Sequence, residues 1–238
     1  LARAAYGAKK QEEEFFDLTI LHINDVHGAV EQYPLLKSAV KKVRKSSPHT
    51  LFLLAGDVFA GSPYFTQYEG MADLYFLNRL DIDGFTFGNH EFDKGPEVLL
   101  KFVGEAKFPF VSSNVRFPTS FSENIKDEIP INGVGGSIYP AIIKEIDGEK
   151  IGIFGLSTKK KKLRGKDWED AAIFDVFESA KEIVNRLQKM GINKIIALSH
   201  LGYEMDKKLA EAVDGIDVIV GAHSHTKLLT PHLVKKYE

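Results

Sequence analysis

The chain has 238 residues, 44% hydrophobic and 27% charged, with a formal net charge of -2 at pH 7. That length accommodates one large globular domain or two small ones, and the near-neutral balance argues against bulk electrostatic binding of nucleic-acid polymers or anionic membranes. The absence of cysteine excludes disulfides, thiolate metal ligands and a thiol nucleophile, and no apolar run is long enough to span a bilayer.

Residues 1–16 are charged and rich in small residues, and are read as an N-terminal extension, either a leader remnant or an added sequence, outside the fold. From Phe15 a pattern of apolar run, polar turn and amphipathic stretch repeats. "FFDLTILHI" predicts a buried strand, and "YPLLKSAVKKVRKSS" a helix with Leu36, Ala39, Val40 and Val43 on one face. "TLFLLAG" is the next strand, "GMADLYFLNRL" a helix, "GFTFG" a short strand, "GPEVLLKFVGEA" a helix and "FPFVSSN" a strand. The segment "RFPTSFSENIKDEIPINGVGGS" is polar and glycine-rich, and predicts a surface excursion. "IYPAIIKEIDGEKIGIFGLS" reads as two strands around an Asp147–Gly148 turn, a hairpin signal. A helix "DVFESAKEIVNRLQKM", a strand "NKIIALSH", a helix "EMDKKLAEAV" and a strand "DVIVGAHS" complete the series. Strands alternating with helices predict an α/β sandwich, and the hairpin predicts a mixed sheet.

Five of these strands end in Asp, Asn or His and none in Lys. The ends are "NDVHG" with Asp25 and His27, "AGDVFAGS" with Asp57, "GNHEFD", "LSHLG" with His200, and "GAHSHT" with His223 and His225. Ligands of α/β sheets collect at the carboxyl ends of strands, where residues distant in sequence converge. Any one of these histidines, taken alone, reads as a hydrogen-bonded core or surface residue; recurrence at five strand ends carries the case. Imidazole nitrogens with carboxylate and amide oxygens, and no sulfur, suit Mn²⁺, Zn²⁺, Fe or Co²⁺. The donors outnumber what one tetrahedral ion with an open position would use. Two ions about 3.5–4 Å apart, bridged by a carboxylate, would use them and would suit phosphoryl transfer.

"ILHINDVHG", "LLAGDVFAGS", "FGNHEFDKG", "VSSNV", "ALSHLG" and "VIVGAHSHT", in that order, resemble the successive motifs of the calcineurin-like metallophosphoesterases, most closely the 5′-nucleotidase branch. The resemblance runs from about Leu18 to Thr226. It implies an α/β fold, a four-layer αββα sandwich with mixed β-sheets. It also implies two divalent metal ions, one held by Asp25, His27, Asp57 and His225, the other by Asp57, Asn89, His200 and His223, with Asp57 bridging. His90 would be the catalytic histidine, oriented by Asp93, and Asn114 a substrate-binding residue, with a strand-end cap as its equal alternative. Glu91 has no site role by position and reads as a salt-bridging or supporting carboxylate.

The implied reaction is hydrolysis of a small-molecule phosphoester, foremost a nucleoside 5′-phosphate, by a metal-bound hydroxide. A 2′,3′-cyclic nucleotide phosphodiesterase, a sulfur-ester hydrolase and a metal-binding domain inactive without a partner domain are the alternatives. Residues 17–238 are expected to form the metallophosphoesterase domain, lacking its last strands and the C-terminal substrate-specificity domain that the family carries. Extracytoplasmic localisation, whether periplasmic, secreted or surface-anchored, follows from the resemblance alone. The lysine run "TKKKKLRGK", residues 158–166, reads as a solvated loop in preference to an anion contact.

Overall fold

A computed structural model describes residues 16–159, 168 and 170–234 of the chain. The lysine run, apart from Thr158 and Lys159, and all of the N-terminal extension except Phe16 lie outside the described residues. In chain order the elements are β1 (Thr19–Ile23), α1 (Tyr33–Ser46), β2 (Thr50–Leu54), α2 (Pro63–Tyr68), α3 (Met71–Leu77), β3 (Gly84–Phe85), α4 (Pro96–Glu105), β4 (Phe110–Val111), β5 (Val115–Arg116), β6 (Ile138–Tyr139), β7 (Ala141–Ile146), β8 (Glu149–Ser157), β9 (Ala172–Ile173), α5 (Val176–Lys189), β10 (Lys194–His200), α6 (Tyr203–Ala212) and β11 (Val218–Val220).

Strand β2 shows how the layers arise. "TLFLL" is buried at every position, yet its side chains alternate between two cores, as a period of two requires. Leu51 and Leu53 enter an inter-sheet core with Val111, Ile142, Ile153, Ile196 and Leu198. Phe52 and Leu54 face the other way, onto Val40, Leu74, Leu77, Leu99 and Phe102 of α1, α3 and α4. Strand β8 does the same on its side, with Phe154 and Leu156 packed on Ile183, Val184, Leu187 and Leu209 of α5 and α6. The result is helices, sheet, sheet, helices: an αββα sandwich.

The first sheet runs β1-β2-β3-β4-β6 and the second β11-β10-β8-β7. Every pairing within the first is parallel, so the mixed character belongs to the second, where β7 and β8 are antiparallel. Their turn forms where expected, with Asp147 at φ 51° and Gly148 at φ 81°, the left-handed pair that a tight hairpin uses. The strand expected to be buried at "FFDLTILHI" is an edge strand with His22 exposed. The expected surface excursion is pinned down: Phe117 and Phe121 are buried, their rings 5.3 Å apart, with Phe117 5.1 Å from Phe87.

Burial also isolates one ionisable pair away from the strand ends. Tyr33 Oη–H donates to Asp73 Oδ1 at 2.9 Å, while Asp73 Oδ2 is shielded and has no hydrogen-bond partner. Burial, and to a lesser extent the Glu31 charge, pushes the Asp73 carboxyl from 3.8 to about 6. The folded state therefore holds a proton that the unfolded chain releases, so stability falls as pH rises from about 4 through about 6. The expected loss from this group is on the order of 2 kcal/mol. Asp73→Asn should flatten that part of the curve, which urea denaturation across this range would read.

Candidate metal centre

The loops after β1 and β2 continue the parallel pairing beyond the strands. Asp25 N donates to Gly56 O, His27 N to Asp57 O and Gly28 N to Val58 O, each at 3.0 Å. Five of the seven candidate ligands adopt left-handed backbone: Asp25 (φ 50°), His27 (49°), Asp57 (55°), His223 (75°) and His225 (51°). For residues with a Cβ this costs roughly 1–2 kcal/mol each and persists only where neighbours over-determine it. These five make up half of the ten non-glycine residues with such backbone among the described residues.

Three overlapping groups place their ligand atoms within 4.8 Å of one another: Asp25, His27 and His225; His27, Asp57 and His90; Asp57, His200 and His223. In the first, His27 Nδ1 lies 3.1 Å from Phe59 O, a contact only an N–H can make, so Nε2 is left for the cluster. That Nε2 is 3.4 Å from His225 Nε2, which is 3.4 Å from Asp25 Oδ1. Asp25 also accepts the His223 amide, at 3.2 Å on Oδ1 and 3.1 Å on Oδ2.

In the third group His200 is fully buried, and its Nδ1–H is fixed on Ala55 O at 2.6 Å. Its Nε2 makes no hydrogen bond of acceptable geometry, yet sits 3.0 Å from Asp57 Oδ2 and 3.9 Å from Asp25 Oδ1. A nitrogen lone pair facing two carboxylates is repulsive unless a cation or a proton stands between them. Burial opposes charge on His200, but Asp57 outweighs it and raises the imidazole's pKa above its usual value. Burial likewise pushes the Asp57 carboxyl up, while His200 and the His90 amide pull it net below the usual range. The donor set fits a divalent cation of the Mn²⁺, Zn²⁺, Fe or Co²⁺ kind.

His90 Nδ1 and Asp93 Oδ2 are 2.5 Å apart, and the His90 amide donates to Asp57 Oδ1 at 2.8 Å. Asn89 immediately precedes the same short turn, His90–Phe92, without a side-chain capping bond, and its Oδ1 is shielded from solvent. Asn114 is turned elsewhere. It is fully buried, its Nδ2 donates to Ser157 O at 2.8 Å and its Oδ1 accepts Ser157 N at 2.9 Å. In this structure its carboxamide straps the two sheets together. His22, His49 and His232, which are not among the strand-end histidines, stay outside the three groups: His49 binds Asp17 O and faces Asp147, and His232 pairs with the Tyr203 hydroxyl. Glu91 forms no salt bridge among the described residues; both its oxygens are taken by backbone amides. Its signal in the sequence was a carboxylate flanked by His90 and the core residue Phe92, which predicts burial more than a surface pair.

The close approach of the loops depends on Gly88. A Cβ there would lie 2.2 Å from Asp57 Oδ1 and 2.6 Å from Asp57 N. Gly88→Ala is expected to displace Asp57, weakening metal binding and costing about 1–3 kcal/mol of stability; calorimetric titration and thermal melts would read the two effects.

Two stacked sheets, flanked by helices and pooling Asp, Asn and His at their carboxyl ends, define the calcineurin-like phosphoesterase class. The family model for the calcineurin-like phosphoesterases matches residues 18–227, and the chain belongs to that family. It is 37% identical over 243 residues to the trifunctional nucleotide phosphoesterase protein YfkN of Bacillus subtilis, covering 90% of this chain and 16% of that protein. It is 34% identical over 233 residues to 5′-nucleotidase of Mus musculus, covering 90% of this chain and 39% of that one. Among solved structures, NAD nucleotidase of Haemophilus influenzae superposes with a TM-score of 0.77 at 36% identity, over 87% of this chain and 38% of its own. The 5′-nucleotidase precursor of Thermus thermophilus gives 0.76 at 37% identity, over 88% and 42%. The chain thus spans well under half the length of these relatives.

Proposed function

We propose that residues 17–238 form the metal-holding domain of a phosphoester hydrolase acting on nucleoside 5′-phosphates, with two divalent ions sharing Asp57. The carrying observation is that Asp57 belongs at once to the group with His27 and His90 and to the group with His200 and His223. Asp25, His27, Asp57 and His225 would hold one ion, and Asp57, Asn89, His200 and His223 the other. When bound, the ions supply Lewis acidity, which makes water a nucleophile at neutral pH and offsets charge on phosphoryl oxygens.

The chain's own residues do the rest. Phe59 O and Ala55 O fix the tautomers of His27 and His200, so their Nε2 atoms face inward. Asp93 holds His90 by Nδ1, leaving Nε2 to donate a proton to the leaving oxygen or a hydrogen bond to the phosphoryl group. Asn114 acts from behind, by keeping Ser157, the neighbour of His200 across the β8–β10 pairing, in place. Selection of the nucleobase is assigned to the length of the relatives that this chain does not span. An extracytoplasmic site of action is supported by a snake venom 5′-nucleotidase of Gloydius brevicauda, 35% identical over 90% of this chain. Among the described residues no helix is long and apolar enough to cross a membrane.

A phosphodiesterase is the second reading, kept because one relative is named a trifunctional nucleotide phosphoesterase, a name that does not confine it to monoesters. With Mn²⁺ added, phosphate release from AMP and p-nitrophenol release from bis-p-nitrophenyl phosphate separate the readings. Faster AMP turnover is expected, collapsing in His90→Ala. Diester turnover alone would establish the second reading, and none of either, with metal bound, would make this a holding domain that needs a partner domain.

A further inference from the structure

We infer that Glu91 is a positioning residue for the shared carboxylate: it holds Asp57 in ligating geometry without itself touching an ion or the substrate. This rests on the reading of Asp57 as the shared ligand.

Glu91 is fully buried. Its Oε1 accepts from Val58 N at 2.7 Å and Phe59 N at 3.2 Å, and its Oε2 from Asp57 N at 2.9 Å and Gly88 N at 2.6 Å. Three of those amides belong to the loop that carries Asp57, and the fourth precedes Asn89. The loops answer each other, because Asp57 Oδ1 in turn accepts the amide of His90 at 2.8 Å. Each loop therefore lends the other a carboxylate, and the two exchanges clamp Asp57 from both sides of its peptide.

Three features show that the clamp is built for the loop geometry and not for charge pairing. No lysine or arginine pairs with Glu91 among the described residues' ion pairs, so the buried charge is compensated by amides, which have directions. Asp57 is left-handed at φ 55°, a conformation that needs outside restraint. The flanking glycines permit the approach: a Cβ on Gly56 would come within 2.3 Å of Gly88 N, where the fourth amide starts. An amide side chain could not replace Glu91, since its NH₂ would face two N–H groups in place of an acceptor.

The experiment is Mn²⁺ titration by calorimetry on wild type, Glu91→Gln and Glu91→Ala, with thermal melts of the metal-free proteins and Mn²⁺ electron paramagnetic resonance for coupling between ions. In Glu91→Gln, Mn²⁺ affinity is expected to fall about 10- to 100-fold, with the coupling signal reduced. In Glu91→Ala, acetate filling the vacated amides should recover part of the affinity. Should Glu91→Ala fail to fold, Glu91→Gln decides alone. Variants that melt earlier but bind two Mn²⁺ with wild-type affinity and coupling would overturn the inference and leave Glu91 a structural residue. A wild-type protein that held no coupled pair would overturn the proposed shared site, and this inference with it.

Discussion

Asp57→Ala is expected to leave the protein with neither ion, and phosphoester turnover lower by roughly a thousandfold or more. The expectation follows from where the carboxylate sits. Its Oδ2 faces His200 Nε2 at 3.0 Å and its Oδ1 takes the His90 amide at 2.8 Å, so one residue borders both ligand groups. Removing it leaves His27 and His225 with Asp25 alone on one side, and His200 with His223 and Asn89 on the other. On the His200 side only neutral imidazole and amide donors remain, and on the other Asp25 is left as the sole anionic ligand, so both ions are held more weakly and neither is expected to survive purification. His200→Ala is the contrasting case: it removes one neutral ligand from one group and should weaken chiefly one ion. Metal content by mass spectrometry of the native protein reads both variants. Unchanged content in Asp57→Ala would remove the bridging assignment.

The strand ends were legible because the polar residues interrupt apolar runs that period and length already mark as strands. "TLFLL" followed by "AGD" needs no structure to be read as a strand ending in a carboxylate, and β2 ends at Leu54. The convergence itself was legible only through the general behaviour of α/β sheets, since Asp25 and His223 are 198 positions apart and no local pattern joins them. The six-residue helix α2 went unread, being short and aromatic. Its signal was the Ser62–Pro63 pair: Ser62 Oγ accepts the Phe65 amide at 3.1 Å and Pro63 occupies the first turn. The excursion at residues 116–137 runs mostly over the surface, as its polar and glycine content implied; what that content did not disclose is that Phe117 and Phe121 are buried and anchor it. The left-handed backbone of His27, His223 and His225 was invisible, since it is imposed by neighbouring loops and not by the residues' own preferences.

The same distinction between a residue and what positions it governs the second large effect. His90→Ala is expected to lower kcat by about 100- to 10,000-fold while metal content stays at the wild-type value, because neither proposed ligand set uses the His90 imidazole and the substitution keeps the backbone amide that Asp57 Oδ1 accepts. Asp93→Asn should lower kcat less, since it leaves the imidazole in place but exchanges its charged partner at 2.5 Å for a neutral one. The double variant discriminates between two ways of working. If Asp93 acts only through His90, its carboxylate has nothing left to orient once the imidazole is gone. The double variant then turns over no more slowly than His90→Ala alone. If instead the two losses multiply, Asp93 meets the substrate or its water directly, and the pair is two catalytic groups instead of one held by the other.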